Sequence, residues 1–142
     1  MDDVTRLKTG AIISPLKHIT HEKGDLYTCL KVSDQTYSGF GEAYFSSVFS
    51  GVTKGWKRHS RMTLNLIVPI GVIEFYLVSD YGAIRDALKL GSVCYARLTV
   101  PPGIWLAFRG IGPETNLLLN LANIPHDPNE SDSRSIDYFP LP

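Results

Sequence analysis

Apolar and polar positions along this chain change places in short bursts rather than at helical intervals. Eight runs stand out, at residues 25–32, 42–49, 52–59, 62–68, 72–79, 92–100, 104–111 and 115–122. They are rich in β-branched and aromatic residues and are separated by Gly, Pro, Asp and Ser, a pattern that predicts a β-sandwich or barrel. Pro69-Ile70-Gly71 and Pro101-Pro102-Gly103 read as tight turns. One short helix is predicted over 81–90, where Ala83, Ile84, Ala87 and Leu88 recur at helical spacing. Asp80 is placed to cap it and Gly91 to end it. Residues 1–14 show little periodicity and read as an arm that gains structure by packing on something else. Within the arm, Ala11-Ile12-Ile13 is an apolar patch with no obvious partner in its own domain. The tail, 124–142, holds four prolines and reads as a loop-rich wrap, not a strand. No repeat interrupts the pattern, and one domain over 1–142 is expected.

Composition narrows the class. The 142 residues are 44% hydrophobic, 11% aromatic and 20% charged, which belongs to a globular chain and not a disordered one. Lys plus Arg equals Asp plus Glu at 14 each, so no overall field draws nucleic acid or anionic lipid. No apolar stretch approaches the roughly 20 residues a membrane helix needs. No secretory signal is visible behind Asp2 and Asp3, so a cytoplasmic location is expected. Cys29 and Cys94 lie in apolar runs and read as buried free thiols.

Two stretches carry a family resemblance. Gly51-Val52-Thr53-Lys54-Gly55-Trp56-Lys57-Arg58-His59, continuing to Pro69-Ile70-Gly71, is similar to the Gly-Val-x-Arg-Gly-x-His segment of nucleotide-deoxysugar 3,5-epimerases. Val100-Pro101-Pro102-Gly103-Ile104-Trp105-Leu106-Ala107-Phe108 is similar to their Pro-x-Gly-x-x-His-x-Phe. Glu22-Lys23-Gly24 and His126-Asp127-Pro128 match further family positions. The chain thus resembles the dTDP-4-dehydrorhamnose 3,5-epimerase family of the cupin superfamily. The resemblance implies an all-β antiparallel double-stranded β-helix, the cupin jelly roll. It also implies a dTDP-linked 4-keto-6-deoxysugar as ligand, a role in surface polysaccharide or deoxysugar biosynthesis, and a homodimer that exchanges N-terminal strands.

The same positions depart from the family's chemistry. Removing a proton beside a C4 ketone and returning it on the other face needs a base, an opposed acid and a donor for the enolate. Lys57 stands where the family has its basic histidine, Leu106 replaces the second-motif histidine, and Lys54 replaces an arginine. The late strand that normally supplies a tyrosine has none between Leu118 and Pro125. Cupins often hold a metal through these motifs, but His59 alone is left of the ligands, so neither metal nor other cofactor is expected.

The candidate catalytic residues are therefore Lys57 and His59, which project to one face of a regular strand, His59 having the unperturbed pKa better suited to a base. Lys54 points the other way unless Gly55 marks a bulge. The alternative reading makes Lys54, Lys57, Arg58 and Arg61 a solvated basic rim. Lys23, Lys54, Arg58, Asn65, Tyr76, Arg97 and Asn120 are the candidate substrate-binding residues. Alternation is expected to carry Lys57, His59, Asn65, Tyr76, Arg97 and Asn120 to the barrel interior. Three functions remain open: a sugar-nucleotide epimerase, a non-catalytic or accessory nucleotide-sugar binder, and a 3,4-ketoisomerase.

Overall fold

The computed structural model describes residues 3–142. Its larger sheet runs in the order β1 (Thr5–Arg6), β2 (Ile12–Pro15), β10 (Ala96–Val100), β7 (Leu64–Ile70), β12 (Leu117–Ala122) and β5 (Glu42–Ser47). The second runs β13 (Ser131–Ser133), β6 (Thr53–His59), β11 (Trp105–Gly110), β8 (Val72–Val78) and β9 (Arg85–Gly91). A small hairpin pairs β3 (His18–Ile19) with β4 (Leu26–Tyr27). From β5 onward the chain passes back and forth between the two antiparallel sheets, which is the jelly-roll path.

Alternation places the core. Leu64, Leu66 and Val68 of β7 join Ile73, Phe75 and Leu77 of β8, Leu98 of β10, Leu106 of β11 and Leu118 of β12 in one buried cluster between the sheets. Each such side chain contributes about 1.5–3 kcal/mol on burial. A second cluster lies on the outer face of the smaller sheet. There Trp56, Tyr76, Val78, Trp105 and Ala107 are covered by Ile136, Phe139 and Leu141 of the C-terminal tail. The turn at Gly71 has φ +83°, and a Cβ there would stand 2.3 Å from the Thr115 carbonyl oxygen, so glycine alone fits.

Four expectations are corrected. Residues 81–90 do not form a helix: β9 pairs with β8 from Val78↔Arg85 to Val72↔Gly91, and Tyr81 is 93% exposed in the turn before it. Leu88 and Leu90, two apart, both pack on the core, so a seven-residue ladder prevails over the helical spacing of Ala83, Ile84 and Ala87. Ala11-Ile12-Ile13 finds its partner in its own chain, because β2 pairs with β10 and Ala11 is fully buried. Met1 and Asp2 of the arm lie outside the described residues. The tail does contribute a strand, β13, which pairs with β6 and is followed by a single 3-10 turn at Ile136–Tyr138. Finally, Cys94 is exposed and Cys29 half-buried, both as free thiols. Among the described residues no helix is long and apolar enough to cross a membrane.

Candidate active site

The site is built on β6. Against β11 its register reads Lys54↔Phe108, Gly55↔Ala107 and Lys57↔Leu106, so two residues of β6 are passed for one of β11. Gly55 allows this, with φ +135° and a backbone so close to β11 that an added Cβ would lie 2.6 Å from the Ala107 Cβ. The bulge turns Trp56 outward into the second cluster. It leaves Lys54, Lys57 and His59 on the interior side with Phe108 and Leu106. Lys54 reaches across to β5, its Nζ donating to the Ser47 carbonyl at 2.5 Å and to Ser46 Oγ at 3.5 Å. Lys57 remains exposed at the mouth.

His59 is half-buried and its Nδ1 bonds Glu130 Oε1. Glu130 is only 4% exposed. Its other oxygen accepts the backbone N–H groups of Ser60 at 3.2 Å, Arg61 at 3.1 Å and Met62 at 3.2 Å. Burial pushes the Glu130 carboxyl up, but the His59 bond and the Arg61 and Met62 amides outweigh it and hold the pKa below its ordinary value. A carboxylate that stays ionised can only accept, so His59 donates from Nδ1 in its neutral form. Its Nε2 is thereby left as an acceptor.

The facing wall comes from β12 and β5. Asn120 shares the inward face of β12 with Leu118 and Ala122 of the core and stands opposite Tyr44. Its amide is held at both ends: Oδ1 accepts the Asn65 N–H at 3.2 Å, and Nδ2 donates to the Tyr44 hydroxyl oxygen at 3.0 Å. Tyr44, 40% exposed, can therefore donate its own proton outward. Neither Tyr44 nor Glu130 was among the sequence candidates. The signal for Tyr44 was its place in the alternation of the 42–49 run, and for Glu130 an acidic residue next to the Pro-His-Asp-Pro turn.

The other expected residues do not join this interior. Arg97 lies between Ala96 and Leu98 of the core and so faces outward. It is buried against Cys29 O, Thr36 Oγ1 at 2.9 Å and Asp34 at 3.4 Å. Asn65, between Leu64 and Leu66, shares that outer face, with its side chain on Thr36 O and Thr99 Oγ1; only its N–H serves Asn120. Tyr76 lies on the outer face of the smaller sheet and its hydroxyl donates to Glu74 at 2.8 Å. Burial and Glu74 push the Tyr76 phenol up to about 12. Arg58 is also outward, 4.7 Å over the Trp105 ring and bonded to Asp80 and Asp132. Lys23 is on the β3–β4 hairpin, its N–H on His21 Nδ1, and the hairpin packs through Tyr27 on Tyr95. Alternation on single strands misplaced Asn65, Tyr76 and Arg97, because the face that is inward had to be set by packing. Among the described residues no group of three or more His, Cys, Asp or Glu is placed to hold a metal.

Two antiparallel sheets closed over an apolar core, with the chain passing back and forth between them, define a cupin-type jelly roll. No family model matches the chain. A dTDP sugar isomerase from Desulfovibrio desulfuricans G20 is 32% identical, superposes with TM-score 0.88, and is covered over 96% of this chain and 89% of its own. The chain belongs to this family of dTDP-sugar isomerases, which takes in the dTDP-4-dehydrorhamnose 3,5-epimerases, and is a divergent member of it. The fold matches a dTDP-4-dehydrorhamnose 3,5-epimerase from Sulfolobus tokodaii at TM-score 0.85 and 18% identity, over 99% of this chain and 86% of that one. A probable low-salt glycan biosynthesis epimerase of Haloferax volcanii is 26% identical over 103 residues, 68% of this chain; the chain spans 65% of that relative's length.

Proposed function

We propose that the protein shifts a proton beside the ketone of a dTDP-linked 4-keto-6-deoxysugar, with His59 as base, in surface polysaccharide or deoxysugar biosynthesis. The observation that carries this reading is the His59–Glu130 pair at a mouth bearing Lys54 and Lys57. Nε2 of His59 takes the proton from the carbon next to the ketone, and the electron pair moves into an enolate. Glu130 stabilises the imidazolium that results. Tyr44 hands a proton back to carbon from the facing wall, which completes an epimerisation. Lys57 and Lys54 supply positive charge for the enolate and the diphosphate. Return of the proton to C4, with the C3 hydroxyl proton passing to the C4 oxygen, would instead make a 3,4-ketoisomerase.

Deuterium wash-in tests the assignment. The protein is incubated with dTDP-4-keto-6-deoxyglucose in heavy water and exchange is read at C3 and C5, with the product identified. Exchange at both carbons is expected for the parent and near-complete loss for His59→Asn. Absence of exchange across several nucleotide sugars would leave a binding or accessory role.

We also propose a homodimer. Ile19, Leu26 and Tyr27 of the hairpin and Phe45 of the edge strand β5 are exposed, and a second copy would cover them. A monomeric mass by light scattering at micromolar concentration would overturn it.

A further inference from the structure

Among the described residues Arg58 bonds none of the barrel mouth, yet one of its two carboxylate partners, Asp132, stands two residues after Glu130. Its guanidinium lies over the Trp105 ring of β11 and uses separate nitrogens for two carboxylates, Asp80 after β8 and Asp132 of β13 at 2.7 Å. Asp132 is also the β-ladder partner of Arg58, between Ser131↔His59 and Ser133↔Lys57. β13 is three residues long, lies at the edge of its sheet, and pairs with β6 alone. Backbone bonds flank this short ladder, Trp56 with Arg134 at 3.1 and 3.0 Å on one side and the Ser60 N–H to the Glu130 carbonyl at 2.8 Å on the other, and Arg58 adds the side-chain tie at its middle. Glu130 immediately precedes β13, and the Glu130 oxygens must meet both His59 and three amides at once.

We propose that Arg58 is a positioning residue: by clamping β13 onto β6 it fixes the Glu130 carboxylate on His59, and it does not contact the diphosphate. The proposal rests on the reading of His59 as the base. A planar guanidinium with two prongs is needed, since a lysine ammonium cannot stack on Trp105 and hold both carboxylates. Asp132 is the second half of the clamp and is largely exposed, so Asp132→Asn tests it without disturbing the core.

The test combines long-range ¹H–¹⁵N spectra of His59 with kinetics on Arg58→Ala, Arg58→Lys and Asp132→Asn, against Glu130→Gln. The ring-nitrogen signals of His59 are expected to move in Arg58→Ala and Asp132→Asn towards those of Glu130→Gln, as the Nδ1 proton loses its fixed acceptor. Turnover should fall about tenfold with KM within about twofold, because orientation is lost and not ligand binding. Adding Arg58→Ala to Glu130→Gln should cost no more than Glu130→Gln alone. Unmoved His59 signals in both clamp variants, or a raised KM at unchanged kcat, would overturn the proposal. If the parent turns over no nucleotide sugar, the proposed function fails, and the His59 spectra still decide the clamp.

Discussion

Glu130 meets His59 across 71 residues of chain because β13 enters the smaller sheet beside β6 with Ser131 opposite His59. That register is what sets a lone histidine of a basic strand against an ionised carboxylate. Glu130→Gln keeps the size of the side chain but no longer offers two ionised acceptors. It should lower proton exchange by at least about 100-fold, because the imidazolium that forms on His59 loses its ionised partner. Stability should fall by about 1–3 kcal/mol, since a buried network is left partly unsatisfied. Urea unfolding and the wash-in rate check the two effects separately.

The same carboxylate sets an acid dependence. Its folded-state pKa lies below the unfolded value of 4.5. The unfolded chain therefore binds the Glu130 proton first as pH falls. The stabilisation is fully present above about pH 4.5 and is lost as pH drops through the depressed folded value. Urea midpoints measured from pH 6 to pH 3 should decline more steeply for the parent than for Glu130→Gln. Parallel curves would show that the pair contributes nothing to stability.

Tyr44→Phe removes only a hydroxyl from a partly exposed ring. Asn120 then loses the acceptor of its Nδ2, at a cost of about 1 kcal/mol. If Tyr44 returns the proton, formation of epimerised product should fall about 100-fold while dTDP affinity, read by calorimetry, stays within about twofold. An unchanged product rate would remove Tyr44 from the chemistry.

Gly55→Ala should be among the most destabilising single changes at the site. The new Cβ would stand 2.6 Å from the Ala107 Cβ at a backbone φ of +135°. Strain of this kind costs about 1–3 kcal/mol before the clash is counted. Relieving it would undo the bulge that keeps Lys54 and Lys57 on one face. A lowered melting temperature is expected, together with loss of exchange.

By itself the sequence determined the β architecture and the family. Seven of the eight apolar runs became strands of the two sheets, since period-2 patterning and Gly/Pro punctuation are local properties. The run 25–32 yielded only the two-residue β4. The motif from Gly51 to His59 and the turn at Pro101-Pro102-Gly103 needed no partner to be recognised. Residues 81–90 misled because their apolar spacing fits a helix and a strand alike, and only the neighbouring β8 ladder resolves it. The site was decided by tertiary structure. Which face of β7, β8 and β10 is inward depends on packing against another sheet, which sent Asn65, Tyr76 and Arg97 away from His59. Glu130 reaches His59, and Tyr44 reaches Asn120, through long-range β pairing, and no local pattern encodes a contact between residues so far apart in the chain.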